Sequence, residues 1–375
     1  MDRPVLLGEI AKLFLKLGVI GFGGPAAHIA MMQEEVVVKR KWLTEEEFLD
    51  LLGATHLIPG PNSTEMAIHI GQEKAGWKGL ILAGLCFILP AVFITGVFAY
   101  LYNRYGQIPE VQPFIYGIKP AIVAVILSAI FPLAKKSLKS TDLAVLGILV
   151  LLGAFFGINE IYLMFGAGFL FLFWKNIHKG SREQLRNALP FCLQITGSAL
   201  LSATNAKLFW IFLKIGAILY GSGYVLFAFL DTELVSRGLL TRTQLMDAIA
   251  VGQFTPGPVF SSVTFIGYQI NGLSGAIVST IAIFLPSFVF VALLNPLVKK
   301  MRSSKSMSAF LDAVNVASVA IILTICFEMG KDALIDWRTL LIAALSIAIT
   351  FGYRKLNSAW VVLGGSLVGY LLTLV

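Results

Sequence analysis

The chain is poor in charge. Only 13% of its 375 residues are Asp, Glu, Lys or Arg, where a soluble domain carries about 25%. That shortage excludes an ordinary water-soluble globule. Cysteine is scarcer still: Cys86, Cys192 and Cys326 are the only three, all in apolar surroundings. Neither a disulfide framework nor a cysteine metal site can be built from them, and free buried thiols are expected. No GxxxxGK loop, CxxC pair or nucleophile triad is spaced along the chain, so phosphate cradling and covalent catalysis find no support. A short apolar leader with a cleavage site is also missing after Met1, and no cleaved signal peptide is expected.

Apolar residues dominate, at 57% of the chain. Many segments approach the ~20 apolar residues that cross a bilayer. The expectation is an all-α polytopic membrane protein, in contact with lipid along most of its length. The net charge of +8 does not point to nucleic acid, because the basic residues sit in short loops between apolar runs, where they report topology.

The sequence is duplicated. Phe14-Leu15-Lys16-Leu17-Gly18 matches Phe212-Leu213-Lys214-Ile215-Gly216, and Phe22-Gly23-Gly24 matches Tyr220-Gly221-Ser222. Thr44 and Asp50 match Thr241 and Asp247; Ile70-Gly71, Gly76, Gly79 and Leu89-Pro90 match Ile266-Gly267, Gly272, Gly275 and Leu285-Pro286. The offset stays between 196 and 198 residues throughout, a register that fixes two homologous halves. The reading divides the chain into a first repeat over 1–174, a cytoplasmic linker over 175–204 with an interfacial helix near Leu189 to Leu201, and a second repeat over 205–375.

Each half holds one Pro-Gly-Pro motif inside an apolar run: Pro59-Gly60-Pro61 and Pro256-Gly257-Pro258. Proline donates no backbone hydrogen bond and clashes with the preceding turn, so each motif breaks a helix. In lipid such a break survives only where protein or a watery cavity meets it. Pro61 and Pro258 are expected at the first position of a new half-helix. If the broken segments are re-entrant, each half has five true crossings, giving about ten transmembrane helices plus a broken helix per half. With the N-terminus outside, eighteen Lys and Arg then fall on the cytoplasmic side and six outside, as the positive-inside bias requires. An odd number of crossings makes the halves inverted. If the broken segments cross instead, the halves run parallel.

The residues around the breaks suit an anion. A half-helix start carries roughly +0.5 charge and binds anions through free N–H groups. Gly60, Asn62 and Ser63, with Gly257, Ser261 and Ser262, are the candidate contacts there. Gly23 and Gly24, with Gly221 and Ser222, interrupt another helix in each half, for an unwound turn or for close helix packing. Lys16 and Lys214, about ten residues into the first segment of each half, either complete the charge for a dianion or snorkel to an interface. His28 corresponds to Leu226, Glu65 to Ser261 or Ser262, and His69 to Phe265, so the first half holds the titratable groups. Glu65 and His69, one helical turn apart, read as a proton relay for coupling or gating, as structural hydrogen bonding, or as a metal pair too small to hold an ion well. No cofactor and no metal are expected.

Phe22-Gly23-Gly24-Pro25-Ala26-Ala27-His28, Trp42-Leu43-Thr44, and Leu57-Ile58-Pro59-Gly60-Pro61-Asn62-Ser63-Thr64-Glu65, echoed by Thr255-Pro256-Gly257-Pro258, resemble the chromate ion transporter family in its long, two-domain form. The resemblance spans nearly the whole chain. It implies a multi-pass plasma-membrane secondary transporter that exports chromate, a sulfate analogue, on an ion gradient and so confers resistance. Protons are a candidate coupling ion and a homodimer is admitted. A sulfate or other oxyanion permease and an intramembrane enzyme using Glu65 and His69 stand as alternatives. The second half departs from the first where Ser222-Gly223 replaces Gly24-Pro25.

Overall fold

The computed structural model describes residues 3–22, 24–106, 108, 111–177, 203–221, 223–302, 304–353 and 356–374. Gly23, Ser222 and the expected interfacial helix lie outside them, as does most of the linker. The described residues form fourteen α-helices. The first half contains α1 (Arg3–Ile20), α2 (Gly24–Gln33, extended by a π-turn over Glu34–Lys39), α3 (Glu45–Thr55), α4 (Asn62–Tyr105), α5 (Gln112–Ser137), α6 (Thr141–Phe155) and α7 (Glu160–Ile177). The second contains α8 (Ala203–Ile218), α9 (Val225–Leu230, extended by a π-turn over Asp231–Val235), α10 (Arg242–Phe254), α11 (Ser262–Arg302), α12 (Lys305–Ala333), α13 (Trp337–Gly352) and α14 (Ser358–Thr373). Among the described residues, four stretches are long and apolar enough to cross a membrane: Asn62–Tyr105, Gln112–Ser137, Val259–Leu293 and Ser306–Ala333.

The duplication is visible in the capping chemistry. Thr44 and Thr241 each close a capping box, with Glu47 and Gln244 respectively, satisfying N–H groups at the helix start. The Glu47 carboxyl is held below the usual carboxylate range, chiefly by the Thr44 N–H and then by its hydroxyl.

The apolar run near 6–31 is two helices and not one, and the chain reverses between them. The Lys16 ammonium donates to Glu35 at 2.8 Å. Nineteen residues of unbroken helix would hold these groups roughly 28 Å apart. The second half does the same, with Lys214 bonded to Glu233. α3 and the start of α4 form another reversal, since Lys74 donates back to the Trp42 carbonyl.

α4 and α11 are themselves hairpins. Each leaves helical geometry at one point, Ala75-Gly76 and Asn271-Gly272, where Gly76 has φ 60° and Gly272 φ 58°. An L-residue with a side chain resists that backbone conformation. The arms then close so tightly that a Cβ on Gly71 would overlap the Gly79 carbonyl, and one on Gly267 the Gly275 carbonyl.

The long arms of α4 and α11 lie against each other in opposite directions. Gly84 meets Phe288, while Ala99, further along α4, accepts from Gln269 near the tip of the other hairpin. Around this pair the halves exchange partners: α5 packs on α13 and α14, and α12 on α6 and α7. One apolar core, from Ile88 to Val362, therefore includes residues of both halves.

Replacing Gly71 with Ala should lower the melting midpoint of the detergent-solubilised protein by about 5 °C or more, the scale set by overpacking and by chain size. Gly8→Ala, where a Cβ meets nothing within 4 Å, should leave it unchanged in the same thermal scan.

Candidate functional site

Four interruptions of the chain meet. Gly60, inside the first Pro-Gly-Pro, donates its N–H to the Leu219 carbonyl at 2.8 Å, and Gly257, inside the second, donates to the Gly21 carbonyl at 2.7 Å. Leu219 and Gly21 are equivalent positions, at the ends of α8 and α1. Each Pro-Gly-Pro turn thus seats in the broken helix of the other half. Gly60 also adjoins Ser287, and Gly257 adjoins Ala91, again exchanged equivalents on α11 and α4. Pro61 and Pro258 occupy N-cap positions, one residue earlier than expected. Proline caps as a half-helix start because it has no N–H to leave unpaired.

A cavity of about 660 Å³ opens beside this junction. Gly24, Gly60, Pro61, Asn62, Ser63 and Gly221 line it. The N–H groups of Thr64 and Glu65 are used by the Pro61 carbonyl. Those of Asn62 and Ser63 stand at the helix start, where the helix offers no acceptor. Tyr224, Val259, Phe260 and Asn315 complete the inner wall, and His56, Lys136, Lys139 and Asp312 stand toward the mouth. Lys139 is neutralised by Asp312 at 2.7 Å. Lys136 has no ion-pair partner among the described residues.

The junction is packed shut on the opposite side. There Tyr102 donates to Asp247 at 2.6 Å, Phe98 packs edge-on against Phe254, and Thr95 donates to Ser261 at 3.3 Å. Gly257, Pro256, Pro258, Ser261 and Ser262 are buried on this closed side, away from the cavity wall.

The other candidates from the sequence fall elsewhere. Lys16 pairs with Glu35, and Lys214 with Glu233. Neither lysine lines the cavity. Both carboxylates are nearly buried and take second cations, Arg40 at 3.4 Å and Arg237 at 2.7 Å. Glu35 and Glu233 share the 198-residue offset of the lysines, a signal that comparison of the repeats could have used. His28 is buried against Phe87 and donates from Nε2 to the Gly21 carbonyl at 2.8 Å. That carbonyl already accepts from Gly257, so His28 reinforces the joint between the halves.

Glu65 and His69 are fully buried. The Ser287 hydroxyl donates to one Glu65 oxygen at 3.4 Å. The other oxygen, and both ring nitrogens of His69, have no partner among the described residues. Glu65 lies directly behind Gly60, where an added Cβ would strike its carboxylate. Proline spacing alone did not single out Lys136, Asp312 or Tyr224; they reach the cavity from helices distant in sequence.

Comparison with known proteins agrees with this architecture. A family model described as "Chromate transporter" matches twice, over residues 8–172 and 206–370. The chain is 32% identical over 371 residues to a chromate transport protein of Cupriavidus metallidurans, covering 97% of this chain and 92% of that one. It is 30% identical over 358 residues to a probable chromate transport protein of Synechococcus elongatus, covering 93% and 91%. An uncharacterized transporter of Bacillus subtilis is 29% identical over 181 residues, which is 48% of this chain but 91% of its own, so a single half occurs as a protein. No solved structure matches. With both halves matched and apolar helices long enough to span, this multi-pass plasma-membrane protein belongs to the chromate transporter family.

Proposed function

We propose that the chain is a secondary transporter that exports chromate, or a tetrahedral oxyanion of the same charge, by alternating access. The observation carrying this reading is the reciprocal seating of the two Pro-Gly-Pro turns, Gly60 on Leu219 and Gly257 on Gly21. It sets a half-helix start on the wall of a cavity that is open on one side only. Chromate is the anion that the named relatives are described as transporting.

Two inverted repeats account for the opposite directions of the long arms and for the exchange of partners between halves. In this topology the hairpins α1–α2 and α3–α4 enter and leave at one face. The long arm of α4 with α5, α6 and α7, and that of α11 with α12, α13 and α14, are the crossings, four in each half among the described residues. With an even number in each, the opposite directions of the halves call for one more passage between 177 and 203, outside the described residues. The start of α1 then lies on the cytoplasmic side with Lys39, Lys74 and Lys136, which satisfies the positive-inside bias. The cavity opens on this basic face, so the conformation is inward-open.

The anion sits against Asn62 and Ser63, with Gly24, Gly60 and Gly221 allowing its close approach. Gly257, Ser261 and Ser262 are the corresponding contacts when the other face opens. Lys16 and Lys214 brace the folded-back hairpins in place of touching the anion. Glu65, behind the turn that holds the substrate, is the group placed to carry a proton, with His69 one turn further on. The complete burial of Glu65 and His69 weighs against an enzyme, since no substrate reaches them.

Chromate flux into inverted membrane vesicles should respond to an imposed pH gradient and lose that response in Glu65→Gln. A response that persists in both Glu65→Gln and His69→Ala removes proton coupling. Excess sulfate should slow the flux if the site reads shape and charge; sulfate-driven uptake in place of chromate export would favour a permease.

Asn62→Asp places a negative charge at the half-helix start and should cut flux about tenfold or more, while Asn62→Ser keeps most of it. Equal flux in Asn62→Asp and the parent protein, measured in the same vesicles, would move the site elsewhere.

A further inference from the structure

The repeats align without a gap through α5 and α12: Ser140 and Asp336, which cap the following helices, share one offset with Leu138 and Leu334 at the helix ends. α3 and α10 align through their capping residues Thr44 and Thr241. In this register Arg242 corresponds to Glu45, and Asp332 corresponds to Lys136.

On the closed side Arg242 is a clamp. Its guanidinium lies 3.2 Å from Asp332 and 3.7 Å from Glu328, both near the end of α12, and 2.9 Å from Asp231. The clamp ties the start of α10 to α12, and α10 packs on α5, α12 and α14. Its counterpart α3 packs chiefly on α4 and α11, and the cavity begins just past its end, at His56 and Leu57. Lys136 stands on the cavity wall near the mouth and Glu45 at the exposed start of α3. Neither has an ion-pair partner among the described residues. The pair carries the charges of the clamp with the signs exchanged, so the attraction is preserved although both residues differ.

We propose that Glu45 and Lys136 form the clamp of the opposite conformation, closing the cavity mouth when the far face opens. This rests on the alternating-access reading above. Of the other charges nearby, Glu47 is committed to its capping box, Lys139 to Asp312 and Lys74 to the Trp42 carbonyl, while Glu46 and Lys135, the sequence neighbours of the pair, fall out of register with Arg242 and Asp332. The counterparts of Asp231 and Glu328 are the uncharged Gln33 and Pro132. The mouth clamp is therefore one ion pair where the existing clamp has three carboxylate partners, and the open-mouth state is favoured at rest.

Two measurements test this. In the full chain with Cys86, Cys192 and Cys326 replaced by Ser, Glu45→Cys and Lys136→Cys together should be bridged by a short, reducible bifunctional thiol reagent. A Glu–Lys ion pair holds its Cα atoms further apart than the roughly 4.4–6.8 Å of a direct disulfide, so the reagent spans the closed mouth, and the bridge should stop transport until reduced. In the second, Glu45→Lys and Lys136→Glu singly should each slow chromate flux about fivefold, and the double reversal should return it to within about twofold of the parent. Folding of each variant is checked by size-exclusion profile. Absence of the cross-link in a protein that still transports chromate, or losses that simply add in the double reversal, overturns the clamp. Cross-linking in the double-cysteine variant, when the parent itself moves no chromate, keeps the clamp and removes the assigned substrate.

Discussion

A peptide group inside a bilayer has no water to turn to, and leaving it unpaired costs several kcal/mol. The two Pro-Gly-Pro turns each open such groups at the centre of the molecule. Neither half pairs its own. Gly60 is satisfied by Leu219 of the second half and Gly257 by Gly21 of the first, with His28 adding a further donor at Gly21. Breaking a helix and duplicating the chain are thus one solution: the other half supplies the acceptors that lipid cannot.

The same joint makes an asymmetric state from near-equivalent halves. On one side α10 is drawn onto α12 by Arg242 and its carboxylates, and aromatic residues fill the space. On the other, α3 stands off and a cavity of about 660 Å³ remains. Packed interfaces of this kind switch between discrete arrangements and do not deform continuously. The glycine contacts at Gly71 with Gly79 and Gly267 with Gly275 keep each hairpin a rigid unit, and the proposed alternating access would place the motion at the contacts between halves. Lys16–Glu35 and Lys214–Glu233 serve that rigidity as well, holding each folded-back helix at its open end.

Much of this was legible from residue order. The offset of 196 to 198 residues gave the halves, and proline chemistry gave the breaks, because both depend on near neighbours along the chain. The lysines show where that reasoning stops. A lysine in an apolar run reads as an unpaired charge until its partner is known, and Glu35 lies nineteen residues away, beyond any helical spacing. Only a reversal at Gly21 brings the two together. The first segment was read as one crossing for the same reason: hydropathy measures length and composition, and it does not register a turn made by Gly21 to Gly24.

What the sequence determined by itself was an all-helical membrane chain, its duplication and the places where its helices must break, since these follow from composition and local stereochemistry. Tertiary structure alone decided that each break is completed by the other half, that Lys136, Tyr224 and Asn315 share a wall with Asn62, and that one face is open while the other is shut. Those outcomes depend on which distant segments satisfy the opened peptide groups. Local sequence carries no record of that choice until the helices have packed.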